Sequence, residues 1–198
     1  MSEQSRQKTN RKNGQSGKTN IIFFIMFVLL TCTDQISKQL AAHFLRGKDI
    51  SVIPDVLQLH YLENKGAAWG ILKNQTWLLI TITVIVLIVI AYVFYKLPDR
   101  KKFWLLRFCL VLLAAGALGN FIDRMVNHYV IDFIYFSLIH FPVFNLADCF
   151  VCISAGLILY CILFKYKDED FEKKSETNAA AEEELQHGTN HETAGTRM

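Results

Sequence analysis

Two aspartates in strongly apolar surroundings are the residues of this sequence whose type and spacing best suit catalysis. Asp123 lies in "GNFIDR", three positions after Asn120. Asp148 lies in "FNLAD", three positions after Asn145. Residues three apart share one face of a helix, so each amide is expected beside its carboxylate. Because ionisable residues in apolar segments are rare and usually functional, the repeated Asn-x-x-Asp pattern predicts a site.

Facing carboxylates in an apolar setting suit two kinds of chemistry. They cannot easily both ionise and tend to share one proton. That state suits aspartic proteolysis, in which one aspartate acts as base on a water and the other as acid toward the carbonyl oxygen. It also suits a proton relay in a proton-coupled membrane transporter. The positions alone do not separate these functions, and Asp123 has the further interpretation of a helix end anchored through Arg124.

Four apolar segments must position these side chains. Residues 76–95 carry no charge over 20 positions, and about 20 apolar residues cross a bilayer as a helix. The other three segments are shorter, and each is bordered by an aspartate; extending each helix past its aspartate restores a spanning length. The predicted spans are about 21–42, 76–95, 103–124 and 143–164. The sequence therefore predicts an all-α membrane protein with a bundle of four transmembrane helices.

The basic residues predict the orientation of the spans. Lysines and arginines concentrate near both ends of the chain and in the 96–107 loop, whereas residues 125–143 contain none. The positive-inside rule therefore places both termini and the 96–107 loop in the cytoplasm. Residues 41–75 and 125–143 are then expected to face outward.

Helix geometry places the two aspartates at one depth. Span three runs outward, and Asp123 comes 15 residues after Phe108, roughly 22 Å along the helix. Span four runs inward, and Asp148 precedes Phe164 by 16 residues, or roughly 24 Å. Antiparallel helices with a short connection are usually neighbours, so the two carboxylates are expected to face each other near the outer edge of the membrane.

The remaining segments are predicted to lie outside the membrane core. Residues 46–75 alternate in "VLQLHYL" and are broken by proline and glycine, which predicts a small extracytoplasmic β-rich element with Trp69 as an interfacial anchor. The aromatic segment 125–143 is expected to lie in the membrane interface. Polar residues 1–20 and the glutamate-rich residues 166–198 are predicted to be disordered cytoplasmic tails, which leaves 21–165 as the folded domain.

Five short motifs, in order along the chain, resemble those of the lipoprotein signal peptidases (signal peptidase II). "DQISK" (34–38) resembles the first-helix motif of that family, and "NKGAAWG" (64–70) resembles its Asn-x-Gly-Ala-Ala-aromatic-Gly motif. "GNFIDR" and "FNLAD" resemble the two motifs that carry its catalytic aspartates. "VIDF" (130–133) resembles the Val-x-Asp-Phe stretch between them, and the resemblance covers about residues 21–165.

The resemblance implies an intramembrane aspartic endopeptidase of the bacterial inner membrane, with its active site near the outer face. Such an enzyme removes the signal peptide of prolipoproteins, cutting before a cysteine that carries a diacylglyceryl group. By this resemblance Asp123 and Asp148 form the catalytic dyad. The residues implied to bind substrate or to support the site are Asn64, Gly66, Asn120, Arg124, Asn145 and Ala147. Asp34 and Lys38 are a structural pair, four apart at the favoured acid-then-base helix spacing.

The resemblance further implies an enzyme without metal or cofactor. Its partners are the diacylglyceryl-modified prolipoprotein and membrane lipids, with no nucleic acid, and the enzyme is expected to be a monomer. The five cysteines all lie in apolar spans, and Cys149-x-x-Cys152 is interpreted as small helix-packing surface rather than as a redox pair.

Three other functions fit the sequence less well. A Ser37–Lys38 protease is disfavoured because adjacent helix residues do not face each other. A metalloprotease would need a histidine motif of the HExxH type, which the sequence lacks. A non-catalytic membrane assembly factor would leave the paired Asn-x-x-Asp arrangement unexplained.

Overall fold

The computed structural model describes residues 3–67, 71–98 and 100–166, with side chains from residue 19 onward. Within these residues the chain forms four α-helices and one three-stranded sheet, besides short helical turns. The helices are α1 (Glu3–Phe44), α2 (Thr76–Lys96), α3 (Trp104–Asn127) and α4 (Leu146–Tyr160). The strands are β1 (Ile50–Ile53), β2 (Leu57–Asn64) and β3 (Val130–Phe136). Trp69 and the acidic tail from residue 167 lie outside the described residues.

Four helical stretches among the described residues are long and apolar enough to cross a membrane. They are Thr19–Phe44, Thr76–Lys96, Lys101–Asn127 and Leu146–Lys165, and they overlap the four predicted spans. The predicted fold class, a helical membrane protein with a small β-element, is confirmed. The structure differs from the prediction at the N-terminal end of the chain. There α1 begins at Glu3, within the segment 1–20 that was predicted to be disordered. The glutamine, lysine and arginine residues there favour a helical backbone.

The sheet is antiparallel, with strand order β1-β2-β3. β1 and β2 form a hairpin inside the β-rich segment predicted over 46–75. β3 comes from the connection between α3 and α4, where the sequence was expected to form an interfacial segment. Its residues, "VIDFIYF", are mostly β-branched or aromatic and favour a strand. The sheet therefore joins two connections that are far apart in the sequence.

α3 contacts both α1 and α2 and is more buried than either. In its most apolar stretch 50% of the residues are buried, against 17% in α1 and α2, whose exposed apolar side chains suit a lipid environment. Two glycines bring other elements close to α3. A Cβ on Gly116 would lie 2.5 Å from the carbonyl oxygen of Ala147, and a Cβ on Gly119 would collide with the carboxylate of Asp34. Small residues at such crossings permit close helix packing.

The sheet packs against the end of α1. Ala41 in the last turn of α1, Leu45 just after that helix and Ile131 of β3 are buried together, and aromatic side chains such as Phe133 pack around them. β3 also contacts α3. These contacts hold β3 beside the ends of two helices, so residues of β3 lie level with the aspartates of α3 and α4.

The chain divides into two compact units, Met1–Ile158 and Leu159–Met198. All residues of the candidate site belong to the first unit. The described part of the second unit includes a π-helical turn over Cys161–Lys165. The domain boundaries proposed from the sequence, with a folded domain over 21–165, stay a prediction.

Candidate active site

A cavity of about 990 Å³ is bounded by β2, the loop that follows it, α3, β3 and the start of α4. Five residues predicted for the site line it: Asn64, Gly66, Asn120, Arg124 and Asp148. Asp132 of β3 also lines it, whereas Asp123 is not among the described residues that do. Cavities that hold small ligands usually measure about 300–1,000 Å³, so this one has room for a peptide segment.

Asp132 is a buried carboxylate in the cavity wall, 1% exposed. Its Oδ2 accepts a hydrogen bond from Nδ2 of Asn64 at 2.8 Å, and its Oδ1 accepts one from Nδ2 of Asn145 at 2.6 Å. Burial, and in second place the negative charge of Asp148, raises the pKa of Asp132 to about 7. Asp132 therefore carries a proton below about neutral pH while it lies close to a second carboxylate.

A bulge in β2 sets the position of Asn64 relative to Asp132. Leu59 pairs with Ile134, but Leu62 pairs with Asp132, so β2 has one more residue than β3 between these two pairs. Such bulges twist a strand and redirect its side chains, often next to active sites. Beyond the bulge, the amide of Asn64 lies diagonally opposite the carboxylate of Asp132.

Asp148 and Asn145 form a reciprocal cap at the start of α4. The backbone N–H of Asp148 donates to Oδ1 of Asn145 at 3.0 Å, and the backbone N–H of Asn145 donates to Oδ2 of Asp148 at 3.0 Å. This capping box fixes the rotamer of Asp148 at the cavity wall. Asparagine is among the residues favoured at a helix N-cap, so residue type alone indicates this role for Asn145. Its Nδ2 is left to bind Asp132, so one asparagine contacts both carboxylates.

Asn120 connects α3 to α4. Its Nδ2 donates to Oδ1 of Asp148 at 2.8 Å, and its Oδ1 accepts hydrogen bonds from Lys38 Nζ at 2.9 Å and from Asn145 Nδ2 at 3.1 Å. The sequence predicted that each asparagine would neighbour the aspartate on its own helix. The amide of Asn120 instead binds the aspartate of the other helix, because α3 and α4 pack closely at Gly116 and Gly119.

The structure differs from the prediction that the side chains of Asp123 and Asp148 face each other. Asp123 is 1% exposed, and its Oδ2 lies 3.2 Å from Lys38 Nζ and accepts the backbone N–H of Ile131 at 3.1 Å. Its Oδ1 accepts a hydrogen bond from Gln35 at 3.2 Å. Both oxygens of Asp123 thus bind the protein, away from the cavity. The side chain of Asp123 points toward α1 and not toward Asp148.

Asp34 and Lys38 extend this buried charge cluster. Lys38 Nζ lies 2.9 Å from Oδ2 of Asp34, and both side chains are 0% exposed. With its contacts to Asp123 and Asn120, the three N–H donors of Lys38 each have an acceptor. Asp34 Oδ1 also accepts the backbone N–H of Ala147 at 2.9 Å. Ala147, predicted to support the site, is fully buried and joins the cluster to α4.

Arg124 binds the loop that follows β2. Its guanidinium donates to the carbonyl oxygen of Gly66 at 3.2 Å and to that of Asn120 at 3.3 Å. The backbone N–H of Gly66 in turn donates to Oδ1 of Asn64 at 2.9 Å. The loop is therefore held between Arg124 and Asn64, at the edge of the cavity.

Comparison with known proteins identifies the family of the chain. The family model Peptidase_A8, Signal peptidase (SPase) II, matches residues 26–164. The chain belongs to the signal peptidase II family. It is 38% identical over 153 residues to the lipoprotein signal peptidase of Lactiplantibacillus plantarum (strain ATCC BAA-793 / NCIMB 8826 / WCFS1), a match that covers 77% of this chain and 99% of the relative. It is 37% identical to the lipoprotein signal peptidase of Streptococcus pyogenes serotype M1, over 76% of this chain and 96% of the relative.

Two solved structures share the fold of this signal peptidase II family member. Both are described as bacterial membrane enzyme structures obtained by the in meso method, at 2.3 and 1.9 Å resolution. The first has a TM-score of 0.67 and 35% identity, and covers 74% of this chain and 92% of its own. The second has a TM-score of 0.65 and 36% identity, over 73% and 94%.

Membership of the signal peptidase II family decides between the functions that the sequence left open. The predicted enzyme class, a peptidase, is confirmed, and the transporter alternative is not favoured. The four apolar helices and the bacterial relatives agree with a multi-pass membrane protein of bacteria.

Proposed function

We propose that this protein cleaves the signal peptide from bacterial prolipoproteins with Asp132 and Asp148 as its catalytic dyad. One observation carries the choice of Asp132: the two carboxylates share a cavity wall and are bound by the same asparagine, Asn145, through its Nδ2 and its backbone N–H. Asp123, the partner predicted from the sequence, is bound to Lys38 and Gln35 instead.

The two environments support different roles for the two carboxylates. Both oxygens of Asp148 accept N–H hydrogen bonds, from Asn120 and Asn145, which suits an ionised base that takes a proton from water. Asp132, with its pKa raised to about 7, suits the acid that protonates the carbonyl oxygen of the scissile bond. Water oxygen adds to the carbonyl carbon as these transfers occur. Collapse of the tetrahedral intermediate then breaks the C–N bond, with a proton passing to the leaving amine.

The other predicted site residues keep supporting roles in this proposal. Asn64, Asn120 and Asn145 orient the two carboxylates, while Gly66 and Arg124 form the rim that would bind the substrate backbone. Ala147, Asp34 and Lys38 belong to the framework behind the cavity, and we add Asp123 to it.

The substrate we propose is a prolipoprotein whose cysteine carries a diacylglyceryl group, cut just before that cysteine. The support is the family of the chain and the names of its relatives. From the distribution of basic residues we further propose that both termini are cytoplasmic and that the cavity lies near the outer face. From the family resemblance we propose that the enzyme works as a monomer without metal or cofactor.

The proposal is tested by comparing Asp132→Asn, Asp148→Asn and Asp123→Asn on a diacylglyceryl-modified prolipoprotein, with cleavage followed by gel shift. The first two substitutions are expected to lower the rate by about 10²–10⁴-fold while the protein still elutes as a folded species, because each removes a proton-transfer group. The folded fraction of Asp123→Asn is expected to retain far more activity than either.

Two results would overturn the proposal in different ways. Loss of activity in Asp123→Asn with retention in Asp132→Asn would restore the dyad predicted from the sequence. No cleavage of the lipidated substrate by the wild type would refute the function itself.

A further inference from the structure

Two cysteines of α4 line the cavity next to Asp148. Cys149 is half-buried and Cys152 is exposed, and both belong to the cavity wall together with Val151. The sequence interpretation of this pair as helix-packing surface is therefore wrong for Cys152. Among the described cysteines, Cys32 is also exposed, but it lies on α1 and is not part of this wall.

Helix geometry places Cys152 beside Asp148 on one side and beside Cys149 on the other. Cys149 and Cys152 are three residues apart, so their side chains are neighbours on one face of α4. Cys152 follows Asp148 by four residues, which is one turn, or about 6 Å along the axis. A group attached to the sulfur of Cys152 would thus extend into the same cavity that Asp148 faces.

We propose that Cys152, with Cys149 beside it, forms a thiol modification site for uncharged, apolar electrophiles, and that alkylation there blocks the peptidase. The class of reagent follows from the position of Cys152 in the apolar span Leu146–Lys165, where a charged reagent is costly to bury. Cys152 reacts first because it is the more exposed thiol. This inference rests on the proposed function only for the effect on cleavage.

The reaction with N-ethylmaleimide is a simple addition. The sulfur of Cys152 forms a C–S bond with one carbon of the maleimide double bond, and the electron pair of that bond moves toward the neighbouring carbonyl group. The other carbon then takes up a proton in place of the one that the thiol lost. No oxidant or reductant is consumed, and the adduct occupies cavity volume next to Asp148.

The experiment treats the purified full chain in detergent with N-ethylmaleimide. Peptide mass spectrometry measures the modified fraction of each cysteine over time, and cleavage of the lipidated prolipoprotein is measured in parallel. In the wild type, loss of activity should follow modification of Cys152 and reach at least tenfold. Cys152→Ser and the double variant Cys149→Ser/Cys152→Ser should each keep most of their own untreated activity.

The matched control is Cys32→Ser, which removes the exposed thiol outside the cavity. It should be inhibited as strongly as the wild type, since Cys32 plays no part in the block. If Cys152 is fully modified while the wild type keeps its activity, the proposal is overturned and the proposed function stands.

Labelling alone also tests the site, without any activity. Modification of Cys32 with neither Cys149 nor Cys152 modified would overturn the proposal even if the untreated enzyme failed to cleave the substrate. That failure by itself would count against the proposed function, not against the thiol site.

Discussion

Two groups of carboxylates, all buried except the half-buried Asp148, lie on either side of Asn120 and are compensated in different ways. On one side, Asp34 and Asp123 both contact Lys38, and the three side chains are at most 1% exposed. On the other side, the hydrogen bonds that Asp132 and Asp148 accept from described residues come from amide side chains and a backbone N–H group, and both aspartates line a cavity. The first group is an internal ion cluster, and the second places two carboxylates at the wall of a cavity.

The comparison teaches that neutralisation and access, more than burial, separate a framework charge from a reactive one. A carboxylate held by a cation and by several donors has little freedom to exchange protons. A carboxylate next to another carboxylate favours a shared proton and can pass it to a ligand. Asn120 links the two groups, because it accepts from Lys38 and donates to Asp148.

The largest expected effect on stability comes from Lys38→Met. It leaves two buried carboxylates without their cation, and breaking a buried ion pair in this way costs about 3–5 kcal/mol. The midpoint of thermal unfolding in detergent should fall by about 10 °C or more. As a control, Arg46→Met removes one partner of the exposed Arg46–Glu63 pair, and the midpoint should hardly move. Equal shifts of the unfolding midpoint in the two variants would contradict the distinction between the buried ion cluster and the exposed ion pair.

A smaller loss of stability is expected for Gly119→Ala. The added methyl group would collide with the carboxylate of Asp34 and displace the ion cluster, at about 1–3 kcal/mol for an overpacked site. The matched control is Gly156→Ala in α4, where no atom lies within 4 Å of the new Cβ. Thermal unfolding of both variants checks the prediction, and a Gly119→Ala protein as stable as Gly156→Ala would show that α1 and α3 do not approach so closely.

The smallest effect, a change in pH dependence, is expected for Asn64→Ala. The hydrogen bond from Asn64 lowers the pKa of Asp132, so its removal raises that pKa from its value of about 7. Asp132 would then stay protonated to higher pH, and the alkaline limb of the pH–rate profile should shift to higher pH. The profile of cleavage between pH 5 and 9 measures this. A limb that moves downward, or does not move, would remove Asp132 from the role of acid.

Much of the fold could be predicted from the sequence, because a membrane-spanning helix requires a long apolar segment that can be recognised directly. The four spans, the β-rich segment after α1 and the capping role of Asn145 all followed from hydropathy, alternation and residue type. β3 was missed, since "VIDFIYF" is short and its partner strand lies some 70 positions earlier in the chain. The signals that could have found Asp132 are its position as an acid in an otherwise apolar connection and its place in "VIDF".

The sequence by itself determined the number of spans and most of the residues that gather around the cavity. Residue spacing fixes how far along a helix a side chain lies and which positions share a face with it. Only the tertiary structure decided which carboxylates meet. Rotation of α3 turns Asp123 toward Lys38, and pairing of β3 with β2 brings Asp132 to Asp148, because both depend on packing between segments that are distant in the sequence.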